Sequence, residues 1–343
     1  MMKTGIVMDR RYMGHDMGAF HPESPRRLEA IYRMIQDEIE FEYQAIEPRP
    51  AAEEEIQWIH TRAYIDTVSN SAGKDRVVLD PDTSTSALSY EAAMLAAGGV
   101  MRAVELIMLG EVKNAFAFIR PPGHHAEASR AMGFCLFNNI AIGAEYLLEK
   151  NNLKRILIVD WDLHHGNGTQ HSFYERKDVL YFSTHQFPHY PGTGYWDERG
   201  AGPGTGYTVN VPLSAGKTDQ DYMYIFDTVL SPIVKSYLPE FILVSAGFDI
   251  SAKDPLGGMQ VSDLGFGALA HTLIRLAGQV AHNRILFALE GGYDLEGLKS
   301  GCRQVLLQMA GEAGKPSIEP AASPQISQEL KPVIETHCKQ WPL

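Results

Sequence analysis

Ile156-Leu157-Ile158-Val159-Asp160-Trp161-Asp162-Leu163-His164-His165-Gly166-Asn167-Gly168 passes from four apolar residues straight into acids, imidazoles and glycines. The apolar run has the length of a strand buried on both faces, and its abrupt end marks that strand's carboxyl terminus. Three further stretches repeat the pattern. Ala115-Phe116-Ala117-Phe118-Ile119 leads into Arg120-Pro121-Pro122-Gly123-His124-His125, and Phe241-Ile242-Leu243-Val244 leads into Ser245-Ala246-Gly247-Phe248-Asp249. Ile285-Leu286-Phe287-Ala288-Leu289 leads into Glu290-Gly291-Gly292-Tyr293-Asp294. In an open parallel sheet the carboxyl ends of the strands share one edge, and ligands bind there. The four polar clusters are therefore expected to form one site.

Between these runs, strand-like and helix-like segments alternate, the pattern of a parallel sheet covered by helices. Lys3 to Val7 reads as a first strand. Pro25 to Gln36 reads as a helix capped by Ser24, with Leu28, Ile31, Ile35 and Ile39 on one face. Tyr90 to Leu109, Asn138 to Leu148 and Val261 to His282 read as further helices. The small residues of the first of these, Gly98 and Gly99 among them, predict close packing against the sheet. Gly192 to Gly206 reads as a long loop before a strand at Tyr207 to Val211. No internal repeat is visible. A Pro/Ser-rich segment near Pro316 to Pro324 precedes a short helix around Gln328 to Lys339. The expected fold class is α/β: one domain with a central, mostly parallel sheet and helices on both faces. Residues 1–315 would form the catalytic unit, and 316–343 a tail whose helix docks on it.

The 343 residues are 45% hydrophobic and 21% charged, which suits a globular chain with a large core. A net charge of -12 argues against a nucleic-acid partner, which normally meets a basic surface. It would attract a cationic substrate, although solubility alone explains such a charge more simply. No apolar run is long enough to span a bilayer, and the start lacks a signal-peptide core, so no membrane partner is expected. The cysteines, Cys135, Cys302 and Cys338, are odd in number and lack zinc-finger spacing, which predicts a reducing, cytoplasmic setting. The sequence leaves a homo-oligomer open.

Asp162 and His164 alternate along what reads as extended chain, so both can face one side, and Asp249 could close a triangle with them. Two carboxylates and one imidazole with an open position describe a catalytic zinc site. Carboxylate-rich ligation also admits Fe(II), Co(II) or Mn(II). An isolated Asp-x-Asp-x-His is more often a set of turn and cap residues; joined to the other clusters, the metal reading prevails. His124 and His125 follow a stiff Pro-Pro-Gly turn and can exchange protons near neutral pH. Asp160 and Asn167 are available to orient them, and the charged partner would keep its histidine the more cationic. Tyr293, flanked by glycines, is placed to donate to an oxyanion. No Gly-x-Ser-x-Gly elbow offers a covalent nucleophile.

Together these motifs resemble the histone deacetylase family, including bacterial deacetylase-like amidohydrolases and acetylpolyamine amidohydrolases. The likeness runs from about Ile6 to Gln308 through HPESPRRL (His21 to Leu28), RPPGHHA (Arg120 to Ala126), GFCLFNN (Gly133 to Asn139), DWDLHHGNGTQ (Asp160 to Gln170), PGTG (Pro191 to Gly194), SAGFD (Ser245 to Asp249) and EGGYD (Glu290 to Asp294). It implies an arginase/deacetylase-like fold and hydrolysis of acylated lysine side chains or acylated polyamines. It further implies that Asp162, His164 and Asp249 bind Zn2+, that His125 is general base and acid, and that His124 is its electrostatic partner. Tyr293 would be the oxyanion donor. Asp160 would support His124 and, with Asp162, His164, Ser183 and Thr184, a K+ site. Gly133, Phe134, Tyr190 and Gly292 would line the substrate tunnel, and Arg27 an acetate-exit cavity.

Three departures bear on this. Asn167 stands where class I members have Asp, Tyr190 replaces a usual phenylalanine, and Ser69 to Tyr90 lacks the long insertion of acetylpolyamine enzymes; the first and third favour the class II-like branch. A binuclear-manganese ureohydrolase would need Asp-x-His-x-Asp instead of the Asp-x-Asp-x-His-His found here. A non-catalytic reader of acyl-lysine would not need the complete set of ligands, histidines and tyrosine.

Overall fold

The apolar runs pair with one another because each must satisfy backbone donors and acceptors on both edges while removing side chains from water on both faces. The computed structural model describes residues 2–343. Its strands are β1 (Thr4–Val7), β2 (Tyr43–Ile46), β3 (Val77–Asp80), β4 (Thr83–Thr85), β5 (Asn114–Ala117), β6 (Ile156–Asp160), β7 (Val179–Gln186), β8 (Thr208–Leu213), β9 (Phe241–Ala246) and β10 (Ile285–Leu289). Eight of them form one sheet in the order β2-β1-β5-β10-β9-β6-β7-β8, every pairing parallel. The four strands whose polar ends stand out in the sequence are consecutive in space: β5, β10, β9, β6. Their carboxyl ends therefore lie side by side, and register pairs Asp160 with both Ser245 and Ser183.

Helices Ser89–Met108 and Asn139–Asn151 pack together on one face, and Asp263–Val280 with Leu295–Ala310 on the other. The small residues of Ser89–Met108 do permit close approach, although not only to the sheet. A Cβ on Gly98 would sit 1.8 Å from the Arg49 carbonyl oxygen, so the chain at 49–51 lies directly on this helix. The Ala51 amide donates to the Met94 carbonyl at 2.8 Å there.

Several expected boundaries move. The first helix is Arg26–Glu38; Pro25 occupies the cap position without a side-chain bond, and Ile39 has already left the helix. Its buried face includes Arg27 beside Leu28, Ile31 and Ile35, an inward charge that apolar periodicity does not foresee. The last helix is Pro324–His337 and starts before Gln328, because Ser323 accepts from the Ile326 amide with Pro324 in the first turn. It buries Ile326, Leu330 and Val333 against the domain, and the Trp341 indole donates to the Gly206 carbonyl at 2.9 Å. The span Ser69 to Tyr90 holds an antiparallel hairpin, β3 and β4, turned at Asp80-Pro81-Asp82-Thr83. No helix among the described residues is long and apolar enough to cross a membrane.

Candidate active site

Asp160 closes β6, and the chain then bends through Asp162, Leu163 and His164 instead of continuing extended as the sequence predicts. The bend is tied by the His164 amide donating to Asp162 Oδ1 at 2.9 Å. At the end of β9, Asp249 Oδ1 accepts the Leu163 amide at 2.9 Å, and past β10 the Gly291 amide donates to Asp162 Oδ2 at 2.8 Å. Backbone amides thus hold both oxygens of Asp162 and one oxygen of Asp249, which fixes the two carboxylates beside His164. His164 Nδ1 lies 3.1 Å from both Asp162 Oδ1 and Asp249 Oδ2. One ligand atom from each of the three buried residues falls within 4.8 Å of the others.

This donor set fits a divalent cation. Burial and the Asp162 charge push the Asp249 carboxyl up to about 7, whereas the burial of Asp162 is outweighed by His124 and His164, which hold its carboxyl well below its ordinary value. Burial pushes His164 down, but its hydrogen bonds to Asp162 and Asp249 bring it up to about 10.

The two histidines sit beside this cluster with different partners. His124 Nδ1 donates to Asp160 Oδ2 at 3.0 Å, and its Nε2 lies 3.8 Å from Asp162 Oδ1. Burial opposes its charge, but Asp160 and Asp162 outweigh it and bring it up to about 10, which favours its charged form. His125 Nδ1 meets Asn167 Oδ1 at 2.7 Å. Burial, with the neighbouring His124 and His164, pushes it well below its ordinary value, which favours its neutral form. The two imidazoles thus differ in their tendency to hold charge, each according to its partner. Their loop is anchored by Glu290, whose Oε2 accepts the Gly123 and His124 amides at 2.7 and 3.2 Å.

Tyr293 stands on the loop after β10. Asp254 Oδ2 accepts its amide at 2.6 Å and that of Asp294 at 3.2 Å. The Arg27 guanidinium lies 5.1 Å from the Tyr293 ring centroid. Its Nε donates to the Gly292 carbonyl at 2.7 Å and its Nη2 to the Glu290 carbonyl at 2.5 Å. Gly292 is thus buried with its carbonyl engaged by Arg27. Burial pushes the Tyr293 phenol well above its ordinary value, which keeps its proton available for donation.

Aromatic rings stand beside these groups. Tyr190 meets His125 edge-on at 5.1 Å between centroids, and Phe134 meets Tyr293 at 5.8 Å and His21 at 4.6 Å, both edge-on. Gly133 and Phe134 both have positive φ, 56° and 68°. The β3–β4 hairpin holds this turn: Gly133 donates to Asp82 Oδ1 at 3.0 Å, and Phe134 to Thr83 Oγ1 at 2.9 Å. A Cβ on Gly133 would lie 2.3 Å from His125 Cδ2. Gly133→Ala is expected to displace that ring and lower kcat by about tenfold or more, with secondary structure retained in circular dichroism. An unchanged kcat would contradict the contact.

Residues 21–309 match the Histone deacetylase domain family. The chain belongs to the histone deacetylase family. It is 41% identical to a probable deacetylase of Archaeoglobus fulgidus over 86% of this chain and 83% of that protein. It is 38% identical to histone deacetylase 15 of Arabidopsis thaliana and 33% to histone deacetylase HDA1 of Saccharomyces cerevisiae, each over 99% of this chain. It spans only 63% and 53% of those two longer proteins. The crystal structure of the HDA15 HD domain superposes with a TM-score of 0.93 at 36% identity, covering 99% of this chain and 97% of the other. Histone deacetylases are hydrolases acting on amide bonds, and the chain is a hydrolase of that class. The fold likeness agrees with the parallel sheet described above.

Within this deacetylase frame, sequence reasoning passed over Asp82, Thr83, Asp254 and Glu290 as positioning groups. Asp-Pro-Asp-Thr is a turn signal that could have revealed the hairpin. Cys135 is buried, and burial pushes its thiol well up, so it behaves as a core side chain.

Proposed function

We propose that the chain is a zinc-dependent deacetylase that removes acetyl groups from lysine side chains. The observation that carries this reading is the convergence of Asp162, His164 and Asp249 beside His125, with Tyr190 edge-on to His125 and His164 and Phe134 edge-on to Tyr293. Zinc, held by those three residues, would supply Lewis-acid chemistry, polarising a carbonyl and lowering the pKa of water. The neutral His125 accepts the proton of the attacking water at Nε2, because Nδ1 is committed to Asn167. The Tyr293 hydroxyl donates to the oxyanion as the carbonyl becomes tetrahedral. The cationic His124, fixed by Asp160, offsets that developing negative charge, and His125 returns the proton to the departing amine. Phe134 and Tyr190 clasp the apolar stem of the lysine, which suits a narrow aromatic slot.

A potassium ion is part of the same proposal. Asp160 and Ser183 are register partners, and Thr184 beside them has a buried hydroxyl without a hydrogen-bond partner. The oxygen atoms of Asp160, Asp162, His164, Ser183 and Thr184 would hold the ion beneath the site. We also assign residues 1–315 to the catalytic unit and 316–343 to a tail docked on it.

The test is a comparison of zinc-loaded protein on acetyl-lysine peptides, acetylated polyamines and longer acyl-lysines. Cleavage of the acetyl-lysine peptides with the highest kcat/KM is expected. A higher kcat/KM on acetylpolyamines would move the substrate to that class, and no cleavage of any of the three would sink the assignment.

A further inference from the structure

Behind His125 a chain of polar side chains runs outward to solvent. Asn167 Oδ1 faces His125 Nδ1 at 2.7 Å. Its amide nitrogen contacts Glu127 Oε1 at 2.5 Å, the His125 carbonyl at 3.2 Å and Met132 Sδ at 3.4 Å. Glu127 in turn accepts from Nδ1 of the half-exposed His171, at 2.8 Å on Oε1 and 3.0 Å on Oε2. The Glu127 backbone is fixed separately, its amide donating to the Arg130 carbonyl and its carbonyl accepting from His60 Nδ1 at 2.9 Å.

Donor and acceptor character can travel along this chain in only one direction. Burial favours the neutral Glu127 carboxyl, but hydrogen bonds from His171 and Asn167 bring it below its ordinary value, so it is ionised and can only accept. The Asn167 group facing it must then be the NH2, and the group facing His125 must be the carbonyl oxygen. A carbonyl oxygen accepts, so His125 must carry its proton on Nδ1. In the neutral ring Nε2 is then the nitrogen with the bare lone pair.

We propose that Glu127 is a positioning residue for the hydrolysis: through the Asn167 amide it selects the tautomer of His125 that can act as a base. The inference rests on the deacetylase reading above. It also explains how a neutral asparagine serves where an acid would serve alone. An aspartate at 167 could only accept and would set the tautomer itself; the asparagine can turn over, so its polarity is set from outside by Glu127. The His125 carbonyl supports the same orientation of the amide and limits the loss when Glu127 is removed.

The experiment combines kinetics of the zinc-loaded chain on an acetyl-lysine peptide with 15N NMR of the His125 ring. In the parent chain the NMR signature is the Nδ1-protonated tautomer. Glu127→Leu is expected to lower kcat about tenfold with KM unchanged and to bring in the Nε2-protonated form. Glu127→Gln retains an acceptor oxygen, so the loss is smaller; this variant also serves if the leucine variant folds poorly. In an Asn167→Asp background the sign reverses: Glu127→Gln now relieves two abutting acids and donates to Asp, so kcat holds or rises. A role confined to fastening the loop predicts the same loss in both backgrounds. That result, or an Nε2-protonated His125 in the parent chain, or a tautomer indifferent to Glu127→Leu, would overturn the proposal. An inactive parent chain with the Nδ1 tautomer would instead count against the deacetylase reading.

Discussion

Tyr293→Phe is expected to lower kcat by about 100- to 1,000-fold while KM barely moves, the cost of removing one oxyanion donor. The substitution deletes only the hydroxyl. The ring keeps its edge contact with Phe134 and its place against Arg27, and the backbone keeps its bond to Asp254, so the slot retains its shape. Substrate in its ground state is planar at the carbonyl and gains little from this donor. The tetrahedral state gains most, so the loss falls on kcat. Steady-state kinetics on an acetyl-lysine peptide check this. A kcat within about threefold of the parent would remove Tyr293 from the mechanism, on the scale expected of an oxyanion donor.

Glu23→Ala is expected to cost about 3–5 kcal/mol of stability, the penalty for stripping buried charges of their partner. Glu23 is fully buried and ion-paired with Arg120, whose Nη2 donates to Oε2 at 2.7 Å, and with Arg27, whose Nη1 donates to Oε1 at 3.2 Å. The His15 ring lies 3.5 Å away. Alanine would leave two fully buried guanidiniums facing each other. Burial pushes the Glu23 carboxyl up, but Arg120 outweighs it and brings the group down to about 2. A carboxyl depressed from 4.5 stabilises the fold fully above that pH and loses its contribution as pH falls toward 2. The gap between parent and variant in urea unfolding is therefore expected to be widest near neutrality and to shrink in acid. A gap independent of pH would show that lost packing dominates. Because Arg27 lies against Tyr293, a fall in kcat should accompany the lost stability.

The sequence was most informative where one physical rule governs both local and long-range structure. Four apolar runs ending in polar clusters announce parallel strands, and parallel strands present those ends together. The convergence of Asp162, His164 and Asp249 was legible for that reason, and so were the contacts of His124 with Asp160 and of His125 with Asn167. Groups that act through the backbone were not legible. Asp254, Glu290 and Asp82 accept amides from residues 39, 167 and 51 positions away, and nothing in the local pattern of a surface-like acid reveals such a partner. The hairpin escaped because strands of four and three residues carry too little alternation to register. The burial of Arg27 was implied by the resemblance, but its pairing with Glu23, and the burial of Glu23 and Arg120, escaped because charged residues are ordinarily read as solvent-facing, and only mutual pairing makes their burial tolerable.

Anomalous X-ray scattering at the zinc edge, from crystals of the zinc-loaded chain, addresses the metal centre itself. A single strong peak is expected within bonding distance of Asp162 Oδ1, His164 Nδ1 and Asp249 Oδ2. A peak elsewhere, or a second catalytic ion of equal height between further acids and imidazoles, would contradict it.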